Sequence, residues 1–185
     1  MALIIVTGVP GSGKSTVLKT VGKMFPSIKI VCFGEEMVKE LAHQGIGRDD
    51  LRKMPVEKQV AIRKAVAMKI VQEKAEITIL DSHACIKTEG GYAPGFPMDI
   101  LNLLKPKVFV GVECPVELIV ERRIHDSSRK RDEEDVKELS LHQTLTRQYL
   151  VAYSAITGGN LCILENGPGE LSDNIQPLVK LIKSI

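Results

Sequence analysis

The sequence predicts a doubly wound α/β domain, in which parallel strands form a central sheet and helices cover both of its faces. Two observations lead to this prediction. Five short runs rich in β-branched residues recur along the chain, and helical patterns separate them. The runs are nearly continuous in apolar character rather than alternating, as expected for parallel strands buried on both sides. Strands that alternate with helices in this way are joined by right-handed crossovers.

The predicted strands are runs of four to six residues that begin near the amino terminus and recur to residue 164. They are Leu3–Val6, Ile28–Phe33, Ile77–Leu80, Lys107–Val112 and Leu161–Leu164.

Helical spacing of apolar residues predicts four helices between and after these strands. They cover Lys14–Met24, Val56–Glu73, a long segment from about 134 to 157, and a last segment from near Asn174. In the last helix Pro177 falls in the first turn, where its missing N–H does little harm. Two consecutive glycines at 158 and 159 end the long helix.

Two of the helices carry a stripe of apolar residues. In the second helix the apolar residues at helical spacing are Val60, Ala61, Ala65, Met68 and Val71. In the long helix the stripe fits either the core or the surface of a subunit interface, and it comprises Leu141, Leu145, Tyr149, Ala152 and Ile156.

Length and composition limit the class of protein. The 185 residues fit one domain, and a content of 44% hydrophobic and 26% charged residues is that of a globular protein. No apolar run is long enough to span a membrane, and the amino terminus lacks the pattern of a secretory signal, so we expect a cytoplasmic protein. A net charge of +2 and an aromatic content of 4% give no indication of nucleic-acid binding. The four cysteines lie too far apart to predict a zinc site or a disulfide framework.

Two polar stretches interrupt the alternation of strands and helices, at about 34–55 and 124–138. Both follow strands or strand–helix units at the carboxyl end of the sheet, where open α/β sheets bind ligands. We therefore predict one domain over residues 1–185 with two small insertions.

A contiguous motif predicts a phosphate-binding loop after the first strand. Residues 8–15 match G-x-x-x-x-G-K-[ST], and they are Gly8, Val9, Pro10, Gly11, Ser12, Gly13, Lys14 and Ser15. Glycines allow backbone N–H groups to surround phosphate oxygens, and the following helix adds the positive end of its dipole. Lys14 is expected to reach the β- and γ-phosphates of a nucleotide, and Ser15 to hold Mg²⁺. The position between a strand and a helix makes a chance match improbable.

Asp81 ends the apolar run of the third strand, at the carboxyl tip of the sheet. An acid at this position holds Mg²⁺ directly or through water in nucleotide-binding proteins of this kind. Asp also commonly ends strands as a simple turn residue, but the phosphate loop favours the metal-binding interpretation.

Further motifs narrow the class of enzyme. The run Asp81-Ser82-His83-Ala84-Cys85-Ile86-Lys87-Thr88 precedes Gly90-Gly91-Tyr92-Ala93-Pro94-Gly95-Phe96-Pro97. With residues 8–16, 48–55 and 126–131, these runs resemble the archaeal-type adenylate kinases, and the resemblance covers essentially the whole chain. The family has a P-loop kinase fold with a five-stranded parallel sheet, helices on both faces, an AMP-binding insertion and a lid. It implies a homotrimer that transfers a phosphoryl group reversibly from Mg-ATP to AMP, giving two ADP.

The resemblance also implies roles for individual residues. Thr16 belongs to the ATP-binding loop, and Arg122 lies against the base of ATP. The AMP site comprises Gly34, Arg52, Gln59, His83, Lys87 and Gly95. At position 87 the family more usually has arginine, whose planar guanidinium contacts a phosphate in two places. Arg129 and Arg131 close on the phosphates from the lid, and Arg147 points at the phosphoryl group in transfer.

The residues alone leave alternatives open. His83 also fits an interior histidine, and the lid arginines and Arg52 also fit solvated surface. For the whole chain the alternatives are another P-loop monophosphate kinase and an adenylate kinase-like ATPase that acts as an assembly factor. Turnover of ATP with and without AMP distinguishes the last of these.

Overall fold

A computed structural model describes residues 2–42, 56–73, 75–125 and 135–185 of the chain. Five strands form one parallel sheet. They are β1 (Ala2–Thr7), β2 (Lys29–Cys32), β3 (Ile77–Asp81), β6 (Val108–Glu113) and β7 (Asn160–Glu165). The order across the sheet is β2-β3-β1-β6-β7, and every neighbouring pair is parallel. The predicted fold class and all five predicted strands are therefore confirmed.

Helices occupy most of the connections between these strands. They are α1 (Lys14–Met24), α2 (Phe33–Ala42), α3 (Val56–Val71), α4 (Met98–Leu104), α5 (Val116–His125), α6 (Val136–Thr157), α7 (Leu171–Asn174) and α8 (Gln176–Lys183). Pro177 lies in the first turn of α8, and Gly158 follows α6 with a φ of 73°. The predicted start of the last helix and the predicted end of the long helix are thus confirmed. None of the helices in the described ranges is both long and apolar enough to traverse a bilayer.

Each face of the sheet has its own apolar core. One core contains Leu3, Ile5 and Leu80 with residues of α2, α3, α4 and α6. The other contains Ile4, Val6 and Ile79 with residues of α1 and α8. Successive residues of a strand point to opposite faces, so the continuous apolar runs fill both cores at once.

An antiparallel hairpin follows the tip of β3, outside the main sheet. Its strands are β4 (Cys85–Thr88) and β5 (Gly91–Pro94), with Lys87 opposite Tyr92. Helices α2, α4 and α5 are also absent from the prediction. The first part of the predicted insertion at 34–55 belongs to α2, which buries Phe33, Met37 and Leu41 and packs on α3. Residues 43–55 lie outside the described ranges.

The predicted helix is confirmed as α3, but the apolar residues that indicated it do not form its buried face. Val60, Met68 and Val71 are 37%, 47% and 39% exposed, and the helix buries the other side. That side consists of Ile62, Val66, Ala67 and Ile70. Apolar residues of this helix lie on all of its sides, so their spacing alone does not identify the face that meets the core.

In α6 the apolar stripe does not coincide with the buried face of the helix. Leu141 and Ile156 are each 50% exposed, and Ala152 is also exposed. The buried face consists instead of Leu139, His142, Thr146, Leu150 and Tyr153. Polar groups on this face bind the hairpin region: the Tyr153 hydroxyl donates to the Ala84 carbonyl at 2.7 Å. The stripe is therefore split: Leu141, Ala152 and Ile156 are exposed, whereas Leu145 and Tyr149 are half-buried and Tyr149 packs against the core.

Candidate active site

The loop after β1 has the form of a phosphate cradle, and steric contacts explain its glycines. A Cβ on Gly8 would lie 2.6 Å from Ser12 Oγ and 2.7 Å from the Val112 carbonyl. Gly13 has a φ of +86°, and a Cβ there would lie 2.2 Å from Asn166 Nδ2. Both positions therefore require glycine, one for space and the other also for backbone conformation.

Side chains outside the loop hold two of its carbonyl groups. Asn166 Nδ2 donates to the Ser12 carbonyl at 2.8 Å. Arg123 donates to the Pro10 carbonyl from Nε at 3.0 Å and from Nη2 at 2.7 Å. In a planar trans peptide the N–H points opposite to the C=O. Holding these carbonyls outward therefore turns the N–H groups of Gly11 and Gly13 toward the inside of the loop.

Lys14 and Asp81 form an ion pair beside this loop. Their side chains are only 12% and 18% exposed. Asp81 reaches the loop because β3 pairs with β1, with Val6 opposite Asp81, and the Ser82 N–H donates to the Val6 carbonyl at 3.1 Å. The sheet register thus brings the two sequence-predicted residues together.

The donor chemistry beside the loop fits Mg²⁺. Ser15 is exposed in the first turn of α1, and Asp81 ends the neighbouring strand. A hydroxyl and a carboxylate are hard oxygen ligands, and Mg²⁺ usually completes its coordination with water and phosphate oxygens. No group of three or more His, Cys, Asp or Glu residues within the described ranges is arranged to hold a metal by itself. The site therefore suits a metal that arrives with a nucleotide.

His83 lies between the loop and the hairpin. Burial of its ring and the positive charge of Lys14 lower its pKa to about 4, against a weaker opposing effect of a hydrogen bond with the Gly8 backbone. The residue as a whole is nevertheless exposed to solvent, so the surrounding protein atoms crowd the ring without closing it off from water. The imidazole is therefore neutral at physiological pH, beside the ammonium group of Lys14.

One of the residues assigned to the AMP site, Gly95, lies against His83. The backbone at Gly95 passes so close that a Cβ would lie 1.8 Å from the His83 carbonyl oxygen. Gly34 is exposed at the start of α2, next to Phe33, whose ring packs edge-on against Phe96 at 5.9 Å between centroids. The Phe33–Phe96 contact thus joins the residues that neighbour Gly34 and Gly95 in the chain.

The other residues assigned to that site are more dispersed. Lys87 lies on β4 and donates from Nζ to Glu138 Oε2 of α6 at 3.1 Å. Gln59 is half-buried on α3, which packs on α2. Arg52 lies outside the described residues.

Arg147 is bound to a carboxylate at the carboxyl edge of the sheet. Its guanidinium makes a two-pronged contact with Glu113, the last residue of β6, in which Nε donates to Oε1 at 2.7 Å and Nη2 to Oε2. Hydrogen bonding and attraction by Glu113 raise the pKa of Arg147 above its ordinary value. The side chain is 53% exposed, so solvent reaches the guanidinium despite this contact.

Arg122, on α5, lies against the loop. Its Nη1 is 3.4 Å from the Ser12 carbonyl and 3.3 Å from Cys114 Sγ. A Cβ on Gly13 would lie 3.2 Å from the same nitrogen. The other predicted arginines of this region, Arg129 and Arg131, lie outside the described residues.

Sequence reasoning missed Asn166, Arg123 and Glu113. Asn166 follows β7 directly and Glu113 ends β6, so both stand at strand tips as Asp81 does. Because ligands of such sheets bind at the carboxyl ends of the strands, polar residues at these two tips were a usable signal. No comparable signal marks Arg123, which differs from its neighbour Arg122 only in the direction it faces.

Comparisons with known proteins agree with this arrangement. Residues 7–140 match a protein-family model described as an AAA domain. The adenylate kinase of Methanopyrus kandleri is 36% identical over 188 residues, covering 99% of this chain and 98% of the relative. That of Methanothermobacter thermautotrophicus is 35% identical over 186 residues, covering 99% and 100%. That of Thermococcus kodakarensis is 34% identical over 185 residues, covering 97% and 94%.

Solved structures show the same fold at low sequence identity. A shikimate kinase from Bacteroides thetaiotaomicron superposes with a TM-score of 0.62 at 12% identity, covering 98% of each chain. A sugar kinase from a Janibacter species has a TM-score of 0.56 at 15% identity, covering 99% of this chain and 95% of its own. At these identities the likeness concerns the architecture alone.

Proposed function

Because the chain belongs to the adenylate kinase family, we propose that it transfers a phosphoryl group reversibly from Mg-ATP to AMP, giving two ADP. The observation that carries this proposal is the loop at 8–15, with Lys14 beside Asp81, at the edge of the sheet from which the hairpin with Lys87 also extends. A second phosphate-bearing substrate can therefore approach the phosphates of ATP from the hairpin side.

In the proposed reaction a phosphate oxygen of AMP attacks the γ-phosphorus of ATP, and the bond to the β,γ-bridging oxygen breaks. Protein groups make no covalent bond, so their contribution is positioning and neutralisation of negative charge. The N–H groups of the loop and Lys14 would hold the β- and γ-phosphates. Mg²⁺, held by Ser15 and Asp81 when bound with ATP, would supply further positive charge.

Arginines would supply the remaining charge neutralisation. We assign Arg147 to the transferring phosphoryl group, and Arg129 and Arg131 to the phosphates of ATP. Arg122 is assigned to the base of ATP, and its contact with the Ser12 carbonyl supports this because it keeps the side chain beside the loop. Glu113 would fix the plane of the Arg147 guanidinium through its two-pronged contact.

The AMP site is proposed to comprise Gly34, Arg52, Gln59, His83, Lys87 and Gly95. The close approach of Gly95 to His83 and the contact between Phe33 and Phe96, which neighbour Gly34 and Gly95 in the chain, support it. A neutral His83 can accept or donate a hydrogen bond without adding to the positive charge of Lys14.

We further propose a homotrimer in the cytoplasm. The exposed apolar residues of α6 support a subunit interface, because exposed apolar patches of this kind commonly mark contacts between proteins. All four cysteines are free thiols, which favours a reducing compartment.

The test is a coupled assay of ADP formation from ATP with AMP, GMP, CMP, UMP or no acceptor. We expect AMP to give the highest kcat/KM by at least tenfold and water alone to give almost no turnover. Equal ATP turnover with and without AMP would show a hydrolase instead. Equal rates with several monophosphates would show a less selective kinase.

A further inference from the structure

Lys87 and Glu138 form an ion pair between the hairpin and the first turn of α6. Nζ of the lysine lies 3.1 Å from Oε2 of the glutamate, and the residues are 51 positions apart in the chain. Their side chains are 38% and 47% exposed, so solvent and small ligands reach both groups.

Neighbouring contacts hold these two residues opposite each other. The hairpin packs on α6 through the rings of Tyr92 and His142, whose centroids are 5.2 Å apart. The Tyr149 hydroxyl donates to the Tyr92 carbonyl at 3.2 Å. Because Tyr92 is the cross-strand partner of Lys87, the backbone at Lys87 is fixed over this face of the helix. The pairing therefore does not depend on the attraction between the two charges alone.

The position of Glu138 in its helix favours this pairing. Asp135 caps α6 and accepts a hydrogen bond from the Glu138 N–H at 2.7 Å, which makes Glu138 the third residue of the helix. A glutamate at this position often turns back to the N–H of the cap residue. Here its carboxylate engages Lys87 across the gap instead.

We propose that Glu138 competes with the phosphate of AMP for Lys87, and that it thereby sets the KM for AMP. The inference rests on the proposed role of Lys87 in the AMP site. A phosphate dianion that approaches the ammonium group must displace the carboxylate or share the cation with it, and the two anions repel each other. Exposed ion pairs contribute little free energy, so the phosphate displaces Glu138 at a modest cost in affinity.

Glu138→Gln tests this competition, because glutamine keeps the size of the side chain and suits the third position of a helix. We expect the KM for AMP to fall about two- to fivefold, the range that corresponds to the worth of an exposed ion pair. kcat and the KM for ATP should stay unchanged, a split that a merely structural effect would not produce. The decrease should become smaller at high ionic strength, since salt screens exposed charges.

The matched control is Glu73→Gln, which also removes one carboxylate from an ion pair. Glu73 pairs with Lys29 at 3.3 Å. Lys29 begins β2, at the edge of the sheet opposite the loop, so this variant should leave the KM for AMP unchanged. If the two variants have the same KM for AMP, Glu138 does not compete and the inference is wrong.

A double-mutant cycle with Lys87→Met separates this inference from the proposed AMP site. Lys87→Met alone should raise the KM for AMP at least tenfold, and in that background Glu138→Gln should lose at least half of its effect. If Lys87→Met leaves the KM for AMP unchanged, the proposed role of Lys87 fails and the competition fails with it. If it raises the KM but Glu138→Gln acts equally in both backgrounds, the AMP site stands and the inference is overturned, because Glu138 then acts only as a nearby charge.

Discussion

The ion pair between Lys14 and Asp81 puts two opposite charges in a place that water hardly reaches. Each charge compensates the other for the loss of hydration, which would be costly for either alone. Nucleotide phosphates can replace Asp81 as the partner of Lys14, and their metal can replace Lys14 as the partner of Asp81. We therefore expect the same two side chains to contribute to stability in the free protein and to charge neutralisation in the complex.

Lys14→Ala should reduce kcat by about three orders of magnitude or more, because it removes positive charge from the transferred phosphates. It should also lower the melting temperature, since Asp81 loses its cation. Initial rates and circular dichroism measure the two effects. Adding Asp81→Asn should restore the melting temperature and leave the enzyme inactive, whereas near-normal rates in Lys14→Ala would contradict the assignment of the loop.

His83 predicts a pH dependence of stability. Its pKa is about 4 in the folded protein, below the ordinary histidine value of 6.5. Between these values the unfolded chain binds a proton that the folded chain does not, so unfolding becomes easier as the pH falls from 6.5 to 4. Above pH 6.5 the ring is neutral in both the folded and the unfolded chain, so His83 no longer makes stability depend on pH. In His83→Gln the melting temperature should therefore fall less steeply over this window, and parallel curves for the two proteins would rule out His83 as the cause.

Among the individual site residues, the sequence identifies those that form one contiguous motif. Residues 8–15 are recognisable because the loop needs all of them at fixed spacing. Asn166 and Arg123 bind the same loop from 154 and 113 positions away. Their targets are backbone carbonyls, which every residue has, so no pattern of side chains marks the contacts.

Helix α6 shows why the buried face of an element is hard to predict. Its apolar stripe is exposed at Leu141 and Ile156, while His142 and Thr146 are buried. Thr146 Oγ1 lies 3.4 Å from Cys85 Sγ, so the buried polar group has a partner in the hairpin region. Burial of polar residues follows from such partners. The hairpin itself was not predicted, because β4 buries only Cys85 and therefore has no apolar run.

The segment between α5 and α6 contains Arg129 and Arg131, which are proposed to bind the phosphates of ATP. Several positive charges lie close together in a polar stretch, so phosphates between them would stabilise a closed arrangement. We expect Arg129→Ala and Arg131→Ala to lower kcat much more than they weaken AMP binding, because AMP is assigned to the other insertion. Steady-state kinetics with both substrates varied measure this. Full kcat in both variants would identify the cluster as solvated surface.

For the whole molecule, the exposed apolar residues of α6 point to self-association. Leu141, Val151 and Ile156 are each about half exposed, and burying them against a second copy would remove apolar area from water. Fold class and strand positions could be predicted from local patterns, whereas this surface could not. Leu141 and Ile156 belong to a stripe with the same spacing as a buried helix face, and only the packing of the domain distinguishes the two.

Light scattering at micromolar concentration should give about three times the chain mass of 20.3 kDa. Val151→Glu should shift the mass toward that of one chain, because a carboxylate would have to be buried without a partner in the interface. Met24→Glu is the control, since Met24 is 48% exposed at the end of α1. A monomeric wild-type mass would contradict the homotrimer.

The contacts of α6 also constrain which changes of chain length the protein tolerates. One side of the helix binds the hairpin region through Glu138, Thr146 and Tyr153. A neighbouring side binds the end of β6 through Gln143 and Arg147. One inserted residue would rotate every later position by about 100° and shift it by about 1.5 Å, so the two sets of contacts could no longer form together. Substitutions on the open side leave both sets intact, and the length of this helix is therefore more tightly constrained than its sequence.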